Sequence, residues 1–364
     1  MVQKLPPEKH GGELETIAEQ YGIDTDRLLD FSVNVNPLGT PESLADAIKK
    51  GFALLNRYPD SSSRRTRRKL AHHLNLSEEN IIVGNGATEL IYLISRCCSE
   101  RLHARDAVII EPTFSDYQRS VSLVGGRVRH HLLLHETCFQ LNIDHLIADA
   151  RDAAILFLCN PNNPTGQLFQ KSQILALATT LEKNLIVVDE AFLDFTDESH
   201  HNSVCGEVIN FPNLVVLCSM TKLFAIPGLR LGYLVAHQNL TERLNQYKEP
   251  WTVNIFAQIA GEMLLDETDY LQRTRELVKI EREFLFNQLK QFSWLTPFPS
   301  AANFLLVHIG REYLTATMLR EKLLKRGILI RNCSNFVGLD ERFVRLAVKE
   351  HAENLKLISA LQDL

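Results

Sequence analysis

Short apolar runs rich in Val, Ile and Leu recur along the middle of the chain, at Ile81–Val83, Ala107–Ile110, Ala154–Cys159, Leu185–Val188, Leu214–Cys218 and Leu231–Val235. They do not alternate apolar with polar, as a strand with one wet face would, so each reads as a strand buried on both faces. Between them lie segments with helical spacing, such as Ala87–Cys98 and Ile174–Leu181. Strands and helices in alternation predict an α/β fold whose mostly parallel sheet is covered by helices. The pattern changes after Pro250, where a long helical stretch, Ile255–Phe292, leads into a shorter α+β region. Residues up to Ala53 also stand outside the alternating series. The predicted organisation is a large α/β domain over 54–252 and a smaller α+β domain built from 1–53 and 253–364.

Composition narrows the class of function. Of 364 residues, 45% are hydrophobic and 23% charged, with a formal net charge of −5. That is an ordinary globular balance, and its acidic excess argues against a general nucleic-acid or membrane binder. The longest apolar run, Ala153–Cys159, is too short to span a bilayer, and the polar segment Met1–Gly12 shows no secretory signal. Seven cysteines are scattered without CxxC spacing, which predicts reduced thiols in a cytoplasmic protein. The basic run Arg64–Lys69, with Leu70 and Leu74 behind it, reads as the solvated face of a helix beginning after Ser61–Ser63. The histidines at 72, 73, 130, 131, 135, 200 and 201 lack ligand spacing, so no metal is expected.

Four segments at strand ends carry the candidate chemistry. Ser219-Met220-Thr221-Lys222 follows one apolar run directly and is followed by Pro227-Gly228-Leu229-Arg230-Leu231-Gly232-Tyr233. A lysine in apolar surroundings has a lowered pKa and can attack an aldehyde; alone, Lys222 reads more readily as a solvated loop residue, and its neighbours reverse that reading. Ser219 and Arg230 add a hydroxyl donor and a permanent charge, a pair suited to phosphate. In Gly84-Asn85-Gly86-Ala87-Thr88, a glycine turn opens a helix whose amides would face an anion, although a plain tight turn is the commoner meaning. Asp189 ends a buried strand, at the edge where open α/β sheets bind ligands; a helix cap is the alternative. Asn160-Pro161-Asn162-Asn163-Pro164-Thr165-Gly166 follows another strand and could be a turn only.

In this order the segments resemble the fold-type-I pyridoxal-phosphate enzymes, and within them the histidinol-phosphate aminotransferase group. Further matches lie at His10-Gly11-Gly12, Asp30–Gly39, Pro250–Asn254, Ile330–Cys333, Gly338–Asp340 and Phe343–Ala347. These favour the threonine-phosphate decarboxylases of that group. The resemblance implies pyridoxal 5'-phosphate as cofactor, with Lys222 holding it as a Schiff base and later moving protons. Asp189 would keep the pyridine nitrogen protonated, Asn163 would bond the ring's phenolic oxygen, and Phe114 would stack on the ring. Ala87, Thr88, Ser219 and Arg230 would hold the cofactor phosphate. Tyr58 matches a tyrosine that reaches the partner subunit's cofactor, which implies a homodimer with shared active sites. His10, Gly11, Asn34, Asn163, Arg331 and Arg345 fall where the substrate's carboxylate and phosphate bind.

The implied reaction is decarboxylation of threonine phosphate, or serine phosphate, to the aminopropanol or ethanolamine phosphate linker of cobamides. The alternative is an aminotransferase of the histidinol-phosphate type. Phe192 stands where aminotransferases of the group usually carry a tyrosine, which favours the decarboxylase branch. A regulator built on the same fold would need a DNA-binding module, and no helix-turn-helix pattern precedes Asp30.

Overall fold

The computed structural model describes residues 11–12, 14–196 and 199–364. Its strands are β1 (Leu29–Asp30), β2 (Ile81–Asn85), β3 (Ala107–Glu111), β4 (Val128–Leu132), β5 (Ile155–Cys159), β6 (Leu185–Asp189), β7 (Leu214–Ser219), β8 (Leu231–Ala236), β9 (Leu295–Pro297), β10 (Phe304–Ile309), β11 (Ile328–Leu329), β12 (Arg331–Asn332) and β13 (Phe343–Ala347). A seven-stranded sheet runs in the order β2-β8-β7-β6-β5-β3-β4. Pairing is parallel from β4 to β7, and β8 alone runs antiparallel to its neighbours β7 and β2. A four-stranded antiparallel sheet, β12-β13-β10-β9, and a two-stranded pair, β1-β11, complete the structure.

The continuous apolar runs are explained by burial on both sheet faces. In β5, Ile155 and Phe157 face one core with Ile91, Ile94 and Tyr117, while Leu156 and Leu158 face the other with Ile174, Val204 and Phe304. Each predicted strand is present. Within the large sheet, the strand that the apolar pattern missed is β4: its sequence, Val-Arg-His-His-Leu, is that of a half-exposed sheet edge. There His130 pairs with Glu111 at 3.2 Å and His131 with Asp149 at 2.6 Å. The stretch Ile255–Phe292 is not one helix. It breaks at the turn Leu264–Asp266 into helices Ile255–Met263 and Thr268–Leu289. The basic run opens the helix Arg64–Leu74, which buries Thr66, Leu70 and Ala71 and leaves most of the charges outside.

The large sheet uses only residues within 54–252, and the four-stranded sheet only residues beyond 253. We propose the domain division there, with helix Ile255–Met263 as the joint, since Gly261 lies against Thr66 and Leu231. Among the described residues, no helix is long and apolar enough to cross a membrane.

Candidate active site

Parallel strands bring successive loops to one sheet edge, the C-terminal edge, and an antiparallel neighbour brings its entry loop there too. Here β5, β6 and β7 end at Cys159, Asp189 and Ser219, β2 ends where the helix Gly86–Cys97 begins, and β8 is entered from Arg230. The side chains gather around a cavity of about 280 Å³, near the lower end of small-molecule sites. Gly11, Asn34, Ala87, Thr88, Phe114, Asn163, Asp189, Ser219, Lys222, Arg230, Arg331 and Arg345 all line it. Tyr58 does not: it is 82% exposed and packs on Trp251, with ring centroids 5.0 Å apart. His10 lies outside the described residues.

Lys222 sits in the short helix Met220–Leu223, and its backbone carbonyl accepts from the Asn36 amide at 3.0 Å. Asn36 also donates to the Leu223 carbonyl and the Thr274 hydroxyl, both at 2.7 Å, which ties the N-terminal segment to the lysine turn. Lys222 is half-buried, with its amine at the cavity wall. Burial, with Arg230 and Arg345 nearby, lowers its pKa to about 8 against the pull of Asp189. An amine so tuned is partly neutral at physiological pH, as a nucleophile needs.

Asp189 is held by two donors. Its Oδ2 accepts from the Tyr117 hydroxyl at 2.7 Å and its Oδ1 from the Ala191 amide at 3.0 Å. Burial still pushes its pKa up, so the carboxylate gains from any cation placed beside it. Tyr117 lies flat on Phe157, 5.3 Å away, and meets Phe114 edge-on at 5.7 Å. Burial and Asp189 keep its hydroxyl protonated, hence a donor. Sequence reasoning passed over Tyr117, although its spacing of three from Phe114 was a usable signal; Ser32, Cys159 and Thr221 were also missed.

The end of the cavity at Arg230 is shaped largely by backbone. Gly86 has φ +76°, and a Cβ there would lie 2.5 Å from the Arg230 guanidinium. A Cβ on Gly232 would meet the Ala87 amide nitrogen at 2.5 Å. Glycines at both positions let Arg230 and the helix amides converge on one point. Ser219 shares a hydrogen bond with Thr221 at 2.7 Å and lines the same end.

The opposite wall carries two arginines in direct cross-strand register, Arg331 on β12 and Arg345 on β13. Like charges so placed repel, and an anion between them removes the cost. Arg345 is buried, donates to the Ser32 carbonyl at 2.8 Å and to the Asn163 side-chain oxygen, and lies 5.3 Å over the Phe304 ring. Burial lowers even its pKa, to about 10. Its Nε and the Oδ1 of Asn34 are buried without a hydrogen-bond partner. Arg331 donates to Asn335 at 2.8 Å. Asn163 is offered by a self-braced loop in which Asn162 donates to the Pro112 carbonyl and to Thr165, both at 2.9 Å. Phe192 meets Phe304 edge-on at 5.0 Å and has no hydroxyl to give.

Known proteins fit this geometry. A protein-family model described as aminotransferase class I and II matches residues 26–361. The chain is 38% identical over 358 residues to the threonine-phosphate decarboxylase of Salmonella typhimurium, covering 97% of this chain and 96% of that protein. It is 33% identical over 361 residues to the adenosylcobalamin biosynthesis bifunctional protein CobDQ of Leptospira interrogans, covering 98% of this chain and 41% of that longer protein. The histidinol-phosphate aminotransferase structure from Clostridium acetobutylicum superposes with a TM-score of 0.84 at 33% identity, over 92% of this chain and 98% of that one. The chain belongs to the class I and II aminotransferase family.

Proposed function

We propose that this chain is a cytoplasmic decarboxylase of L-threonine O-3-phosphate, or of the related serine phosphate, with pyridoxal 5'-phosphate as its cofactor. The carrying observation is the pair Arg331 and Arg345, opposed across two strands at one wall of the Lys222 cavity. A substrate with a carboxylate and a phosphate offers two anions, and two guanidinium forks match them. The family membership and the 38% identity to a threonine-phosphate decarboxylase support the same reading. The identity to the cobalamin protein supports a product used as the cobamide linker, aminopropanol or ethanolamine phosphate.

The residues fit the cofactor. The glycine-walled end beneath Arg230, with Ala87, Thr88 and Ser219, would take its phosphate, and Asp189 would take the charge of its ring nitrogen. Asn163 would face the phenolic oxygen and Phe114 the ring. Pyridoxal phosphate, when bound, supplies an aldehyde that condenses with amines and a ring that draws in the electrons of a bond broken at Cα. Lys222, neutral above about pH 8, presents the amine for that condensation. Arg331 and Arg345 would hold the substrate's two anions, and that anchoring would select which bond at Cα is presented for cleavage. Once carbon dioxide leaves, Lys222 Nζ delivers a proton to Cα. Phe192 gives the phenolic oxygen no second donor, which fits a chemistry different from that of the aminotransferases.

Tyr58 supports a homodimer with shared sites. It is exposed and packs on the half-exposed Trp251, and Phe52 and Leu55, a few residues earlier in the chain, are exposed as well, an apolar set suited to burial against a second copy.

The decisive assay supplies O-phosphothreonine and measures carbon dioxide, then adds 2-oxoglutarate and measures glutamate. Carbon dioxide without glutamate is expected; glutamate without carbon dioxide rejects the proposal in favour of the aminotransferase reading. Two further outcomes follow from the site. Tyr117→Phe removes the donor to Asp189 Oδ2, and a buried hydrogen bond to a charged group contributes about 1.5–3 kcal/mol. A fall in kcat of roughly 10- to 100-fold is expected, with the KM for O-phosphothreonine nearly unchanged; an unchanged kcat removes Tyr117 from the account. In cofactor-free protein, the rate of pyridoxal phosphate uptake should rise with pH and level off above about 8, as Lys222 loses its proton. A rate that is flat between pH 6 and 9 contradicts that tuning.

A further inference from the structure

Behind the cofactor edge lies a second cavity, of about 510 Å³, lined by Glu190, Ser203, Cys205 and Cys218 among others. Glu190 follows Asp189 and Cys218 precedes Ser219, so their side chains leave the strand ends on the face away from the active site. Cys205 comes from the loop before β7. The two sulfurs are 3.7 Å apart, and Cys205 Sγ is 3.7 Å from Glu190 Oε2. One ligand atom from each of the three residues lies within 4.8 Å of the others, and all three residues are buried. A tetrahedral zinc ion with Zn–S of about 2.3 Å and Zn–O of about 2.0 Å has S···S and S···O edges of about 3.8 and 3.5 Å. The two spacings from Cys205 match those edges with little adjustment, and the third, between Cys218 and Glu190, lies within 4.8 Å.

We infer that Glu190, Cys205 and Cys218 form a binding site for one thiophilic divalent cation of the Zn²⁺ class, with the fourth position open to the cavity. No histidine spacing pointed to it, because the three ligands come from separate elements and only the fold joins them. Glu190 accepts from the Ser203 hydroxyl at 2.7 Å and from the Val204 amide at 2.8 Å. The amide bond, made to Oε1, can persist, while Oε2 turns from the hydroxyl and the thiol to the ion. Zn²⁺ would enter as two thiol protons leave, so its affinity falls as pH falls. The bound ion would tie the ends of β6 and β7 to the loop at Cys205, bracing the strands that carry Asp189 and Ser219 from behind. This inference does not depend on the decarboxylase reading.

The test uses the full chain with the exposed thiol removed as Cys138→Ser, equilibrated with Zn²⁺ and dialysed against metal-free buffer. One zinc per chain is expected by elemental analysis, together with a raised Tm. Cys218→Ala, Cys205→Ser and Glu190→Gln are measured in parallel, so that one variant failing to fold leaves the comparison standing. Loss of retained zinc by about tenfold or more is expected in the cysteine variants, with partial loss in Glu190→Gln. Retention of well under one zinc by the Cys138→Ser protein, or equal retention in the folded cysteine variants, overturns the site.

Discussion

Lys222→Ala is expected to lower decarboxylation of O-phosphothreonine by about 10⁴-fold or more, because it removes nucleophile and proton donor together. No other amine lines the cavity among the described residues, and the nearby cations are guanidiniums, which neither condense with an aldehyde nor give up a proton readily. Added methylamine should restore part of the rate, since it supplies the lost function without its tether. A folded variant that keeps more than a tenth of the wild-type kcat refutes the role given to this lysine.

Arg345→Ala carries the second large effect. The guanidinium is buried, bonded to the Ser32 carbonyl and the Asn163 side chain, and keeps one donor, Nε, unused. Loss of one partner from a buried charge pair costs about 2–5 kcal/mol, or roughly 30- to several-thousand-fold in kcat/KM. Arg345→Lys should recover little, because an ammonium cannot hold Ser32, Asn163 and a substrate anion in one plane. Arg331→Ala should cost less, since Arg331 is only half-buried and already donates to Asn335. Steady-state kinetics on the three variants checks the order. An Arg345→Ala enzyme with wild-type kcat/KM would leave the substrate anions without the wall assigned to them.

Much of the fold was legible because burial on both faces writes itself as continuous runs of Val, Ile and Leu. The edge strand Val128–Leu132 was not, since its polar residues answer to Glu111, Asp149 and solvent instead of a core. The break at Leu264–Asp266 was hidden for a related reason: a helical turn of 3₁₀ type keeps the apolar spacing on both sides of it. The strand-end residues Ala87, Thr88, Asn163, Asp189, Ser219 and Lys222 could be read because a parallel sheet sends its loops to one edge, whereas Gly11, Asn34, Phe114, Arg331 and Arg345 were legible only through the family resemblance. Tyr117 escaped because its role is set by what it touches, Asp189, seventy-two residues away in sequence. The triad of Glu190, Cys205 and Cys218 escaped because adjacent residues on a strand point to opposite faces, so the runs that place Asp189 and Ser219 in one cavity send Glu190 and Cys218 to another, where Cys205 joins them from a separate loop.

The central claim is that the Lys222 amine at this sheet edge takes an aldehyde coenzyme. Purified protein should be mixed with pyridoxal phosphate, reduced with borohydride, digested and mapped by mass spectrometry. The account predicts one phosphopyridoxyl group per chain, on the peptide containing Lys222 and absent from the Lys222→Ala protein. No adduct, or an adduct carried mainly by surface lysines, would contradict it.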